Sequence, residues 1–429
     1  MKNKALLPIF MIVVVDLLGF SLILPLLPYY AKAFGATPLV TGLLVASYAA
    51  AQLVGAPLLG RLSDRYGRRP MLLTSIFGSF LGFMLLAAAE PLGAWLAGNL
   101  AASAGVEAAP LRSGLAVGLL FISRMVDGLT GGNLSIAQAY ITDVTDANSR
   151  AQGLGLVSAA FGLGFIIGPV LGGLLSQWGY GVPALGAAGL SLFNMLSVAL
   201  RLPESLTVEK RQALASQPRT TFSAAALWRA LRQARVGPLL QTRLFFGLAF
   251  AIFQSIFSLY ALSRFSLNSR DTGFVLTYVG LLSVLVQGLA VGRLTRRFSD
   301  AWLIFGAVVL MSLSLAGWAF APNVPVLLAV LAPTSLAGGV LNTVLSSALT
   351  KSVQPAEIGG MLGLATAVDS LTRVIAPSLG GLLLQGLGAG APGLFGALLM
   401  VPLARFVWRN LRPAQAEPSP AAAPCPEVA

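Results

Sequence analysis

Three carboxylates, Asp16, Asp127 and Asp369, and two guanidinium groups, Arg124 and Arg373, stand well inside long apolar runs, where an ionised side chain is costly and usually has a task. Arg124 has Asp127 three residues on, and Asp369 precedes Arg373 by four, so on helices each arginine has an acid on its own face. Asp16 is left without a local partner. Removal from water favours its protonated form, whereas Arg124 turning toward it from a neighbouring helix would favour the ionised one. The chemistry open to a carboxylate balanced in this way is the uptake and release of a proton. Simpler roles compete: Asp16 ties its helix to the fourth run, Arg124 and Asp127 satisfy each other, and Asp369 with Arg373 only stabilises packing beside Pro377. Glu90 and Arg243 lie near enough to the ends of their runs to reach water.

Other chemistries lack their parts. The 429 residues include no His and one Cys, Cys425. There is no cluster of metal-ligand spacing and no GxxxxGK[ST] loop, so neither an enzyme nor an ATP-driven pump is expected, and no metal or cofactor. Composition points the same way. Apolar residues make up 56% of the chain and charged ones only 10%, with a mean hydropathy of +0.82, which places the chain among polytopic membrane proteins. The net charge of +13 is read as topology and lipid headgroups rather than nucleic acid, since no basic stretch is interleaved with a soluble fold.

The elements that must position these charges are apolar runs of the length a membrane-crossing helix needs. Twelve are read, near 6–30, 40–60, 70–90, 113–140, 151–177, 183–201, 238–263, 272–292, 301–320, 325–349, 358–386 and 391–411. Between the second and third lies Gly60-Arg61-Leu62-Ser63-Asp64-Arg65-Tyr66-Gly67-Arg68-Arg69-Pro70, a turn too charged for lipid. With both termini on the side of this turn, 21 of the 28 Lys and Arg gather there, four (Lys32, Arg112, Arg264, Arg270) lie opposite, and Arg124, Arg243 and Arg373 fall within runs. That bias makes the basic side cytoplasmic and the first run an uncleaved anchor of the plasma (inner) membrane. Residues 202–236 form the one long cytoplasmic connection, with a short surface helix expected around 222–234. The Pro/Ala-rich tail, 412–429, is expected to be disordered.

The halves on either side of that connection, 1–201 and 237–411, are related. Gly60, Arg61, Leu62, Ser63, Arg65 and Tyr66 reappear 232 residues later as Gly292, Arg293, Leu294, Thr295, Arg297 and Phe298, with Arg296 in the place of Asp64. Further on, Pro169-x-x-Gly172-Gly173-Leu174-Leu175 matches Pro377-x-x-Gly380-Gly381-Leu382-Leu383 at an offset of 208. An external insertion at 91–112, where the second half has only 322–325, accounts for the change. A duplicated six-span unit follows.

With the basic turn after the second span, this organisation resembles the major facilitator superfamily. Asp16-x-x-Gly19-x-x-x-x-x-Pro25-x-x-Pro28, Arg124-x-x-x-Gly128-x-x-x-Gly132 and Gly164-x-x-x-Gly168-Pro169-x-x-Gly172-Gly173 are similar to motifs of its twelve-span drug:proton antiporter branch, nearest to tetracycline-resistance efflux proteins. The resemblance implies an all-α fold of two six-helix bundles and proton-coupled export of small lipophilic or cationic compounds by a monomer, with no energy source besides the proton gradient. It implies a proton-coupling set of Asp16, Arg124, Asp127, Asp369 and Arg373. Gly60, Asp64, Arg65, Gly67, Arg68 and Arg69 would gate the cytoplasmic side, and Gly164, Gly168, Pro169, Gly172 and Gly173 would pack the fifth helix against the other half in a stretch associated with antiport. Phe20, Tyr30, Gln52, Phe253, Gln254, Phe257, Tyr278 and Asn342 are substrate-site candidates; the aromatic ones suit ordinary helix packing equally well. Departures point away from a metal-chelated substrate. Tetracycline pumps carry a third-span acid where this chain has Gly82, and the chain lacks both His and an acid within the ninth span. A lipid or glycolipid exporter, a sugar or metabolite carrier, and a non-transporting receptor or scaffold are the alternatives.

Overall fold

The computed structural model describes residues 6–105, 107–146, 149–207, 209, 211, 224–354 and 357–411. A backbone in hydrocarbon must satisfy its amides within its own segment, which favours helix wherever the apolar runs continue. Twelve helices long and apolar enough to cross a membrane result. In the first half these are α1 (Leu6–Ala33), α2 (Pro38–Tyr66), α3 (Arg68–Ser103), α4 (Ala108–Val144), α5 (Gln152–Trp178) and α6 (Gly181–Arg201). The second half has α7 (Gly237–Phe265), α8 (Ser269–Arg297), α9 (Asp300–Phe320), α10 (Val324–Lys351), α11 (Ile358–Leu387) and α12 (Ala391–Asn410). The surface helix of the connection is present as Ala224–Arg232. Residues 208, 210 and 212–223 of the connection, and the tail from 412 on, lie outside the described residues.

The insertion at 91–112 is not the link that the sequence suggests. Helix α3 runs through Pro91, and α4 begins at Ala108. Gly93 lets the two approach, since a Cβ there would lie 3.1 Å from Ala116 N. Ala97 is buried between them, and Arg112 reaches Glu90 at 3.2 Å. With 36 residues, α3 is about 54 Å long against a hydrocarbon core of about 30 Å, so this helical hairpin projects beyond the bilayer. Charge at Glu90 ends the hydrophobic signal there; it does not end the helix.

Three helices are interrupted within their spans. Pro25 marks the break in α1, and a second piece starts at Leu27 with Pro28 in its first turn. Helix α4 breaks at Thr130-Gly131-Gly132. Ser75 of α3 supplies the missing hydrogen bonds, donating to the Thr130 carbonyl and accepting from Gly132 N at 3.0 Å, which is how such breaks survive inside a membrane protein. In α8 a π-helical turn, Val286–Ala290, precedes the second copy of the basic turn.

The two halves meet at the end opposite the basic turns. Helix α2 crosses α11 with Gly42 against the Pro377 carbonyl and Gly381 against Pro38; α5 crosses α8 with Gly273 against the Pro169 carbonyl and Gly280 against Phe165, where a Cβ would come within 2.7 Å of oxygen. Uncharged bonds fasten the seam: Tyr29 Oη to Thr272 Oγ1 at 2.5 Å, Ser176 Oγ to Ser269 Oγ at 2.7 Å, and Thr277 Oγ1 to the Ile166 carbonyl at 2.8 Å. Toward the basic turns the same helices part. Gly60 on α2, Gly155 on α5, Gly288 and Gly292 on α8, and Gly359 and Gly363 on α11 have open space where a Cβ would stand. Among these glycines the close approaches between the halves thus lie at the end opposite the basic turns, and the space between the halves is open toward the basic face.

Candidate functional site

The charges deep in the first half are held by the break in α4. Arg124 Nη1 donates to Asp127 Oδ2 at 3.1 Å, with only 4% of either side chain exposed. The Arg124 guanidinium also lies 5.4 Å from the Phe83 ring centroid, which a cation favours. So Arg124 serves Asp127, and the alternative in which it turns to Asp16 is not the arrangement found. Gly82 explains its own departure from the tetracycline pumps: a Cβ there would come within 2.9 Å of the Asp127 Cβ. The space beside Gly82 belongs to an acid from α4.

Asp16 is bonded instead by Asn133, the first residue after the α4 break, whose Nδ2 donates to Asp16 Oδ1 at 2.5 Å. Among the described residues no cation pairs with it, and the Asp127 carboxylate lies within electrostatic reach. A cavity of about 10 Å³ adjoins it, lined by Asp16, Asn133 and Asn194 among apolar neighbours, room for a single water. Asn133 Oδ1 and Asn194 Oδ1 are buried acceptors without partners in the protein, while Asn194 Nδ2 is fixed by the Ile12 carbonyl at 3.0 Å. One water there could donate to both amides. Neither Asn133 nor Asn194 was singled out from sequence; for Asn133, a polar residue directly after Gly-Gly was the available signal.

In the second half the expected pairing is wrong. Asp369 does not pair with Arg373 on its own helix; Arg243 of α7 grips it with two bonds, Nε to Oδ1 at 2.8 Å and Nη2 to Oδ2 at 2.7 Å, and also reaches Ser346 of α10 at 3.0 Å. The planar guanidinium fits a carboxylate in this forked geometry better than an i to i+4 contact allows. Arg373 is exposed, with no hydrogen bond or ion pair among the described residues.

Among the substrate-site candidates, Phe20 and Gln52 are brought together around Tyr48. The Phe20 ring lies 5.4 Å from that of Tyr48, and Gln52 Nε2 donates to Tyr48 Oη at 3.0 Å and to the Gly131 carbonyl at 3.2 Å. Gln254 and Asn342 are exposed, Asn342 one turn from Ser346. Tyr278 is half-buried and donates to the Leu328 carbonyl at 3.3 Å. Three aromatic candidates belong to the packing instead. Phe253 and Phe257 are buried with Trp318 and Tyr260 in the core of the second half, because an apolar ring gains most by burial among other rings. Tyr30 is buried beside Tyr180 and donates to the Leu86 carbonyl at 3.0 Å.

Most of the residues expected to gate the basic side form one network in the first half. Arg68 donates to Asp64 at 2.6 Å, Ser63 at 2.7 Å and Asp143 at 3.0 Å. Glu204, just beyond α6, accepts from the Arg68 and Arg69 amides at 2.9 and 3.1 Å, and Arg69 holds the Ala199 carbonyl. Gly67 has φ of +109° with the Glu204 carboxylate against it, so no other residue suits the turn. Arg65 lies over the Tyr66 ring at 5.4 Å. Asp143 and Glu204 were not singled out from sequence, though acids at span ends facing a basic turn are a readable signal. In α5, Gly164, Gly168 and Gly172 pack on Leu17, Ser21 and Leu22 of α1, in their own half; only Gly173 and Pro169 face α8 of the other half, as expected for the whole stretch.

Two six-helix halves open to one face between them, with committed ion pairs in each half, have the architecture of a transporter. The sequence matches the Major Facilitator Superfamily over residues 9–299 and 242–426, and the chain belongs to that superfamily. It is 30% identical over 387 residues to the class C tetracycline resistance protein of Escherichia coli, 88% of each chain being covered. It is 29% identical to solute carrier family 22 member 18 of Rattus norvegicus, over 90% of this chain and 89% of that one, and 27% identical to multidrug resistance protein 2 of Bacillus subtilis, over 90% of each. A D-xylose–proton symporter shares the fold with a TM-score of 0.72 at 17% identity, covering 95% of this chain and 98% of that one.

Proposed function

We propose that this chain exports small, largely apolar compounds across the plasma membrane in exchange for protons, acting as a monomer with both termini cytoplasmic. The observation that carries the reading is Asp16: it is the intramembrane acid without a cation, bonded by a neutral amide, next to space for one water. Asp127 and Asp369 have arginines; Asp16 has none to lose when it takes a proton. Protonation from one side and release to the other, linked to alternating closure of the glycine seam and of the basic-face network, couples export to the inward proton gradient. The excess of basic residues on the open face supports the orientation, and the efflux proteins among the relatives support the direction. The test is Asp16→Asn, reconstituted in vesicles with flux and internal pH followed together. Uphill efflux should be lost while downhill exchange persists; accumulation against a gradient at near wild-type rate would make Asp16 structural.

A further inference from the structure

Arg373 sits at the middle of α11, 15 residues from Ile358 and 14 from Leu387. At 1.5 Å per residue that is about 21 Å from either end, too far for its side chain to reach lipid headgroups. Pro377, one turn further along, is the residue whose carbonyl meets Gly42 in the seam, so Arg373 lies directly beneath the closed end. It is exposed there, with no hydrogen bond or ion pair among the described residues. Helix α2 of the opposite half crosses α11 one turn away, where Gly42 meets Pro377, so Arg373 and Tyr48 lie on facing helices of the two halves.

Among the described residues no acid pairs with this cation. Asp369, the acid one turn away, is held from both oxygens by Arg243. Asp127 is taken by Arg124, and Asp16 is bonded to Asn133 at the cavity that includes Asn194. A cation exposed at mid-membrane without a counter-charge is expensive, and a guanidinium has the fork that fits a carboxylate. On the facing half, Tyr48 of α2 is joined by the Phe20 ring at 5.4 Å and by the Gln52 amide at 3.0 Å.

We propose that Arg373 is the anion anchor of the substrate site, and that the compounds carried combine an aromatic or apolar body with an ionised carboxylate. The guanidinium binds the carboxylate, and the body lies along Phe20 and Tyr48. The assignment rests on the export reading for what happens after binding, and not for the binding itself.

Rhodamine B and its ethyl ester differ only in the free carboxylate and make the test direct. Binding of each to the purified full-length protein in detergent is followed by fluorescence anisotropy. Rhodamine B should bind about tenfold more tightly than the ester, the size of one charge-assisted hydrogen-bonded contact in a partly wet site. Arg373→Gln should abolish that preference while still binding the ester at equal or somewhat higher affinity, since a repelling cation is gone, which also shows that the variant is folded; Arg373→Lys should keep part of the preference. An intact preference in Arg373→Gln, no preference in the wild type, binding of neither dye, or equal loss of both in the variant overturns the assignment. Dye movement under an imposed pH gradient separates the two ideas. A wild type that prefers rhodamine B yet moves neither dye keeps the anchor and loses proton-coupled export, whereas gradient-driven movement without preference does the reverse.

Discussion

Removing both members of the Arg124–Asp127 pair should destabilise the protein by much less than the sum of removing each alone. The charges are 3.1 Å apart and almost wholly buried; at an effective dielectric of about 20 their attraction is about 5 kcal/mol. Asp127→Asn leaves a buried guanidinium whose Nη2 is already without a partner, and Arg124→Gln leaves a buried carboxylate. Breaking a buried pair from one side costs roughly 3 to 5 kcal/mol, which is the expected loss for each single variant. The double variant places two neutral amide side chains opposite one another, and its loss should fall short of the sum of the singles by about 3 kcal/mol. Reversible SDS titration of the protein in mixed micelles, followed by circular dichroism, measures all four corners of the cycle. If the single losses are below about 1 kcal/mol and additive, the pair is not a structural unit, and Asp127 becomes a candidate for the coupling role given to Asp16.

Gly42→Ala should tilt the protein toward the state open opposite the basic face, because a methyl group cannot fit against the Pro377 carbonyl; Val45→Cys in a Cys425→Ser background should then react several-fold faster with an impermeant thiol reagent added from that side, and an unchanged rate counts against the seam as the seal. Asp64→Asn removes the charge from the 2.6 Å ion pair with Arg68 and should slow turnover with little change in substrate affinity; affinity falling in step with rate would place Asp64 in the binding site. In intact cells, with Cys425 replaced by Ser, Gly98→Cys on the projecting hairpin should label with an impermeant reagent and Ser216→Cys should not. The opposite pattern inverts the proposed orientation.

The helices were legible because hydrocarbon imposes one rule on every span, and the duplication because a basic turn of six matching residues survives in both halves. What could not be read was mostly the pairing between helices. Sequence spacing reports contacts along one helix face, so Arg373 stood as the natural partner of Asp369; the partner found, Arg243, is 126 residues away on α7. Asn133 escaped for the same reason, since its meeting with Asp16 depends on a break in α4 and on the crossing with α1 together. Phe253, Phe257 and Tyr30 show the limit for aromatics, whose enrichment is the same in a binding surface and in a core. The hairpin at 91–112 was misread because hydropathy detects where lipid ends and says nothing of where helix ends.

The two closures of this cavity are made of different materials. The seam opposite the basic face joins backbone to backbone at glycines and is fastened by hydroxyls, with no ion pair across it among the described residues. Around Asp64 to Arg69 the opposite end carries a dense array of charge on its first-half side, repeated in part by Arg293, Arg296 and Arg297 on the second. Dissolved salt screens contacts among exposed charges over about 8 Å at physiological strength and leaves a shape-matched, uncharged seam untouched. On the proposed exchange between two orientations, a closure of the basic face made from these charges would therefore respond to salt in that compartment alone. Raising salt there would weaken that closure and prolong the present opening, while salt on the other face would have no lever.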